Sequence, residues 1–318
     1  MGVLYIVVPC YNEEEVLRDT AGKLLSKING LIKNGTIDDK SKILFINDGS
    51  KDNTWNIIET LCSESDAIRG ISLAHNKGHQ NALLAGLMVA KEHADMVISM
   101  DADLQDDIDA IDEMLEKYES ECDIVYGVRK KRDKDTVFKR ITAESFYKIM
   151  RLLGADTVYN HADYRLMSKV ALEALAEYKE VNLFLRGIIP MLGFKTDCVY
   201  YDRGERLAGE SKYPLKKMIA FAWEGITSLS IVPIRIITAT GFVVSIIGIV
   251  MMIYSLIRHL TGATVVGWSS LIMTVWLIGG VTIISIGIIG EYIGKIYLET
   301  KARPRYIIEK QTFDRSES

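Results

Sequence analysis

Cysteine is scarce: Cys10, Cys62, Cys122 and Cys198 are the only 4 in 318 residues, and none lie at CxxC spacing. That leaves neither a zinc site nor a disulfide framework to read, and it fits a reducing cytoplasm. An excess of basic charge is also missing. The formal net charge is −4, whereas a dedicated nucleic-acid binder carries a basic domain, so no nucleic-acid partner is expected. The opening residues MGVLYIVVP lack the basic region of a secretory signal and turn at Pro9 too early for one, so they read as a first strand. Ile6 stands where a myristoylation pattern needs Ser or Thr. His79 and His161 have no second histidine at ligand spacing and read as loop or capping residues.

Charge is absent from two stretches after Arg235. Residues 236–257 and 271–290 are each long enough, at about 1.5 Å rise per residue, to cross a hydrocarbon layer of about 30 Å. Both are expected to be transmembrane helices, because buried core helices rarely stay free of charge over such lengths. Lys212, Lys216, Lys217 and Arg235 precede the first, and Lys295, Lys301, Arg303, Arg305 and Lys310 follow the second. Positive charge on both flanks places both termini, and the domain before the spans, in the cytoplasm. Just before the first span, residues 215–232 are apolar but punctuated by Lys216, Lys217 and Glu224, which suits a helix lying in the interface. Pro233 marks the bend into the bilayer.

The expected organisation is a cytoplasmic domain over 1–214, an amphipathic interfacial segment over 215–235, a two-helix transmembrane hairpin over 236–294 and a cytoplasmic tail over 295–318. Gly279, Gly280, Gly287, Gly290 and Gly294 point to close helix packing rather than to a cofactor. Two spans and a flat amphipathic segment make a poor self-contained bundle, so a homo-oligomer is expected.

Short apolar runs at 4–9, 43–47, 70–73, 96–100 and 123–126 alternate with helical stretches at 14–31, 54–63, 81–93 and 108–118. This is the pattern of an α/β domain with a largely parallel sheet. Functional residues should then gather at the strand C-termini. Residues 33–42, with Asn-Gly and Asp-Asp signals, read as a surface loop. The run RKKRDKDTVFKR at 129–140 carries 7 Lys or Arg against 2 Asp. Two readings stay open for it: a solvated loop, or a phosphate- or membrane-facing surface.

The most specific motif is MDADLQD at 100–106, directly after an apolar run. Asp101 and Asp103, one residue apart at a strand end, can hold a hard divalent cation, Mg²⁺ or Mn²⁺, with Gln105 as a neutral oxygen ligand. Such a cation would neutralise charge building on a diphosphate leaving group. The loops PCYNEE at 9–14 and NDGSKDNT at 47–54 follow the first two strands. Each carries helix-capping residues, and each could also bind a nucleoside. Asp48 and Glu13 are suited to accept hydrogen bonds from a ribose or base edge, and Gly49 lets a backbone come close.

With NKGHQNA at 76–82 and the later Gly86, these segments resemble the family-two glycosyltransferases of GT-A fold, in that family's order across the first domain. Further on, DYRLMS at 163–168, FLRG at 184–187 and RLAGESKYP at 206–214, followed by two spans, resemble the polyprenyl-phosphate glycosyltransferases. That group includes bactoprenol glucosyltransferases and dolichyl-phosphate mannose synthases. The resemblance implies inverting transfer of a hexose from a UDP- or GDP-sugar, UDP-glucose foremost, to a polyprenyl phosphate such as undecaprenyl phosphate. The product would be a lipid-linked sugar for cell-envelope glycosylation, made with Mg²⁺ or Mn²⁺ as cofactor. It also suggests a tetramer. By motif match, Pro9, Tyr11, Glu13 and Asp48 would hold the nucleoside, while Asp101, Asp103 and Gln105 would hold metal and diphosphate. Two departures stand out: Asn47 replaces a frequent Asp, and Asp106-Asp107 replaces Asp-Pro-Pro.

A phosphate monoester has its second pKa near 6 and is largely dianionic at neutral pH, so the acceptor needs no strong general base. It needs a cationic pocket that aims one oxygen at the anomeric carbon. Arg206, Lys212, Arg129 and Arg140 are the candidates, each equally able to be an exposed surface cation. Asp163 is the carboxylate best placed to orient the acceptor or steady oxocarbenium charge, or else to brace the fold through Arg165. A rival reading is a transport component that helps flip a lipid-linked sugar, with a nucleotide-sugar-binding sensor domain. The spans oppose it, for they hold no ionisable residue in their middles.

Overall fold

The computed structural model describes residues 1–103, 105–130, 161–182, 184–202, 227, 232–261 and 268–313. Its centre is an eight-stranded sheet in the order Thr196–Tyr201, Ile124–Arg129, His161–Ser168, Met96–Ser99, Leu4–Cys10, Lys42–Asn47, Ile68–Leu73 and Ile308–Gln311. β1 (Leu4–Cys10) is buried at every position and pairs in parallel with β2 (Lys42–Asn47) and β4 (Met96–Ser99). β3 (Ile68–Leu73) extends the parallel set beyond β2. Continuous apolar runs suit such strands because helices cover both faces.

One face is covered by α1 (Leu17–Lys33), which buries Leu17, Thr20, Ala21, Leu24, Ile28 and Leu31, a stripe of helical period. α2 (Thr54–Glu64) and α4 (Ala110–Glu119) share that side: Ile58, Met114 and Leu115 lie in one apolar cluster with Leu4, Ile6, Val8 and Phe45. The other face is covered by α3 (His79–Ala90), whose Leu83, Leu84 and Leu87 pack with Tyr5, Val7, Leu44 and Ile46. Gly86 allows the approach: a Cβ there would lie 2.5 Å from Ile46 Cδ1 and 2.6 Å from Val7 Cγ1.

The sheet is mixed, not largely parallel as the alternation suggests. β6 (His161–Ser168) runs antiparallel between β4 and β5 (Ile124–Arg129), while β7 (Thr196–Tyr201) pairs in parallel with β5. α5 (Lys169–Ala176), capped by the Ser168 hydroxyl, and α6 (Leu185–Met191) follow β6. Reversing β6 carries its N-terminal end, and Asp163, to the C-terminal end of β4.

Two long helices follow, α7 (Val232–Leu260) and α8 (Trp268–Lys301). Within the described residues, one stretch, 277–301, is long and apolar enough to cross a membrane, and none of its apolar window is buried in the chain. Val232–Val244 is a shorter apolar stretch. The expected tail beyond 295 does more than trail. It finishes α8 and then supplies β8 (Ile308–Gln311), which closes the sheet edge antiparallel to β3. The sheet therefore includes chain well beyond residue 214.

Candidate active site

The strand register aligns Cys10 with Asn47 and Val7 with Ser99, so the loops leaving β1, β2 and β4 open on one sheet edge. The chain order reverses between β1 and β4, and α/β sheets place ligands at such a switch point. The first two loops are laced together. Asn12 N–H donates to the Ser50 hydroxyl at 3.0 Å, Lys51 N–H to Asn12 Oδ1 at 2.9 Å, Asn53 N–H to Glu14 Oε2 at 2.9 Å and Glu13 N–H to Thr54 Oγ1 at 2.9 Å. Asn12 sits at φ 54, a left-handed conformation that Asn tolerates better than most residues.

Among the expected nucleoside contacts, Pro9 is buried in β1, Glu13 is half-buried and Tyr11 is 42% exposed at the loop surface. Asp48 is buried, and both its oxygens are engaged within the chain, accepting from Lys77 N–H at 2.7 Å and Gly78 N–H at 2.9 Å. Burial pushes its carboxyl up, against the pull of those two amides. Gly49 lets a backbone approach, but that backbone is the chain's own. A Cβ there would meet Asn76 N at 2.6 Å, and φ is +62. Asp48 and Gly49 thus seat the 75–78 loop, which starts α3 at His79.

The acidic loop is pinned at both ends. The Thr20 hydroxyl donates to the Ala102 carbonyl at 2.7 Å, and the Tyr164 hydroxyl to the Asp107 carbonyl at 2.9 Å. Asp103 Oδ1 accepts from Gln105 N–H at 3.2 Å. Burial pushes the Asp101 carboxyl up; His79 opposes this, and the like charges of Asp163 and Asp103 add to it. Its side chain still reaches solvent, 37% exposed. Gln105 Oε1 is buried with no hydrogen-bond partner among the described residues. A carboxylate disfavoured by burial and like charge, and an orphaned amide oxygen, are both relieved by a hard cation, so these residues fit one. No three His, Cys, Asp or Glu side chains gather at metal-ligand spacing among the described residues. Two carboxylates, an amide and substrate phosphate oxygens make up the kind of set Mg²⁺ accepts.

Asp163 is the hub of a second cluster. Arg186 grips it through Nε at 3.2 Å and Nη2 at 2.9 Å, and Arg165 Nη2 donates to its Oδ1. His79 Nε2 lies 3.4 Å from Asp163 Oδ2 and 3.7 Å from Asp101 Oδ1, bridging the two acids. Burial would raise the Asp163 carboxyl, but Arg186, the His79 hydrogen bond and Arg165 together hold it well below the usual carboxylate range. Burial lowers His79, yet Asp163 and Asp101 outweigh that and raise it. The Arg165 brace is visible in the sequence, whereas the parts of His79 and Arg186 are not. Each stands in a quoted motif, and only the reversed β6 brings them together.

Behind the acidic loop, Asp106 is buried, accepts from the Tyr201 hydroxyl and lies 3.7 Å from Arg129 Nη2. Burial pushes its carboxyl up to about 6. Arg129 therefore sits against the acidic loop. The other acceptor candidates, Arg140, Arg206 and Lys212, lie outside the described residues, as does most of the interfacial segment.

The family described as Glycosyl transferase family 2 matches residues 5–176, more than half of the sequence. The chain belongs to that family, and the mixed α/β sheet is its GT-A architecture. Its relatives extend through the C-terminal helices. The uncharacterized glycosyltransferase YkoT of Bacillus subtilis is 54% identical over 307 residues, 96% of this chain and 91% of its own. The bactoprenol glucosyl transferase of Shigella phage SfII is 40% identical over 309 residues, 96% of this chain and 97% of its own. Among solved structures, glucosyl-3-phosphoglycerate synthase from Mycobacterium tuberculosis with Mn²⁺ and UDP-glucose shares 16% identity at a TM-score of 0.44. That match covers 72% of this chain and 78% of that one, a likeness too loose to carry residues across.

Proposed function

We propose that this glycosyltransferase moves a hexose, glucose foremost, from a UDP-sugar to a polyprenyl phosphate, undecaprenyl phosphate being the natural choice, at the cytoplasmic membrane face. The observation that carries this reading is the 40% identity to a bactoprenol glucosyl transferase over nearly the full length of both chains, helices included. A soluble-acceptor enzyme would have no use for those helices.

The laced loops after β1 and β2 would receive the nucleoside through Pro9, Tyr11, Glu13 and Asp48. Asp101, Asp103 and Gln105 would hold a divalent cation, Mg²⁺ or Mn²⁺, which when bound supplies positive charge to the departing diphosphate. Asp163, kept ionised by Arg186, Arg165 and His79, offers fixed negative charge beside the acidic loop, where an oxocarbenium-like centre would develop. The acceptor arrives as a dianion, so the chain has only to orient it. Direct displacement with inversion follows from that economy of groups. Arg206 and Lys212 are assigned to the acceptor phosphate, because they lie a few residues before the interfacial segment and a lipid phosphate sits at headgroup depth.

The hairpin reading has support in the connectivity. α8 ends against the catalytic domain and β8 rejoins its sheet, so the excursion through α7 and α8 returns to the side it left. At 29 and 34 residues, the helices span about 44 and 51 Å at about 1.5 Å per residue, enough to cross and return. The test is a panel of nucleotide sugars offered to the purified full-length protein with undecaprenyl phosphate, and the lipid product weighed. A lipid heavier by one hexose with UDP-glucose is expected; unchanged lipid across the panel would overturn the reading.

A further inference from the structure

The last turn of α8 reaches into the catalytic domain through one carboxylate. Glu299 accepts from the Val181 backbone N–H at 2.8 Å, from the Asn182 N–H at 2.7 Å and from the Asn182 side-chain amide at 2.9 Å. That amide also approaches the Lys295 carbonyl at 3.4 Å, and Arg305, just past the helix, donates to the Tyr178 carbonyl at 2.9 Å. A carboxylate facing two consecutive backbone N–H groups forms charge-assisted bonds, stronger than neutral ones.

The clamped segment runs directly into α6, whose second residue is Arg186, the residue that grips Asp163. On the far side of the segment, Leu185 N–H donates to Gln80 Oε1 at 2.8 Å, and Gln80 adjoins His79, which also faces Asp163. The chain around Arg186 is thus held by α3 at Leu185 and by Glu299 at Val181 and Asn182. Helix α8 rises about 1.5 Å per residue, whereas a hydrogen bond keeps its strength only between about 2.7 and 3.2 Å. An axial slip of α8 by a single residue would break the clamp.

We propose that Glu299 is a positioning residue: it fixes the Val181–Asn182 backbone so that α6 presents Arg186 to Asp163, and it thereby makes the site's readiness depend on how α8 is seated. The proposal rests on transfer taking place at the Asp163 cluster, and it adds a route by which an apolar helix remote in sequence acts on that cluster.

The test uses the full-length protein in detergent or lipid nanodiscs, with Glu299→Ala, Glu299→Gln and, as control, Thr300→Ala, whose hydroxyl bonds the Ile296 carbonyl of its own helix at 2.8 Å. In Glu299→Ala the turnover number should fall by about tenfold or more. UDP affinity by calorimetry should hold, and amide deuterium exchange should quicken in the 178–187 peptide. Glu299→Gln, keeping one acceptor oxygen, should recover part of the turnover, and Thr300→Ala should match wild type. Wild-type turnover with wild-type exchange in Glu299→Ala would overturn the proposal. So would UDP affinity falling in step with turnover, since that marks a fold-wide loss. Wild-type protein inactive on polyprenyl phosphate would instead overturn the acceptor reading, and the exchange result would still decide the clamp.

Discussion

Asp163 gathers two guanidiniums and a histidine, and those partners set how it answers to acid. Its carboxyl lies well below the ordinary range in the folded protein. The stabilisation from these pairs is therefore fully present above the unfolded value of about 3.9 and is lost as pH falls through the lower folded value. Asp163→Asn leaves Arg165, 1% exposed, without its counter-charge and should cost about 3 kcal/mol at neutral pH. Unfolding of both proteins across a pH series checks this: the gap should narrow below about pH 4, and a gap independent of pH would contradict it. Asp103→Ala acts on chemistry instead. Loss of this proposed cation ligand from a half-buried loop should cut turnover about a hundredfold or more with the unfolding temperature preserved, and wild-type turnover would remove the metal assignment. The acidic loop was legible because strand-end carboxylates leave a local pattern. The His79 bridge was not, for a single histidine has no ligand spacing to reveal it, and its partners arrive through a strand reversal with no local signature.

Elements differ in how plainly they announce themselves. β1 and α1 read directly from apolar runs and helical stripes, because each buries its own face. β8 is four residues, IEKQ, with polar side chains mostly exposed, so nothing in its pattern separates it from a charged tail. Its pairing does the work that its composition hides: it covers the β3 edge, the Thr312 hydroxyl accepts from Gly70 N–H at 2.8 Å, and the Phe313 ring stacks on His93 at 5.1 Å. Ending the chain after Ala302 would bare a strand edge, which invites pairing between molecules. Such a truncation should unfold at lower temperature and aggregate in detergent. A monodisperse protein with unchanged unfolding would show that the strap contributes nothing. Gly86→Leu should destabilise by about 1 to 3 kcal/mol through overpacking of α3 on β1 and β2, measured by denaturant unfolding.

For the whole molecule, the return of β8 to the sheet puts the C-terminal strand beside the catalytic domain, so topology and function are one question. A reporter fused after Ser318 should be cytoplasmic and one inserted near Gly262 external; matching labels at both would contradict a crossing hairpin. Gly279, Gly280, Gly287, Gly290 and Gly294 would each add a Cβ into open space, leaving room for a neighbouring helix. Native mass in mild detergent should show an oligomer, and monomer alone would count against it. The acceptor is the centre of the account, and the most direct test offers the full-length protein labelled UDP-glucose with undecaprenyl phosphate, undecaprenol or water alone. Label should enter the lipid only with the phosphate; equal transfer to the alcohol, or release of free glucose at the same rate without lipid, would contradict a lipid phosphate as the attacking group.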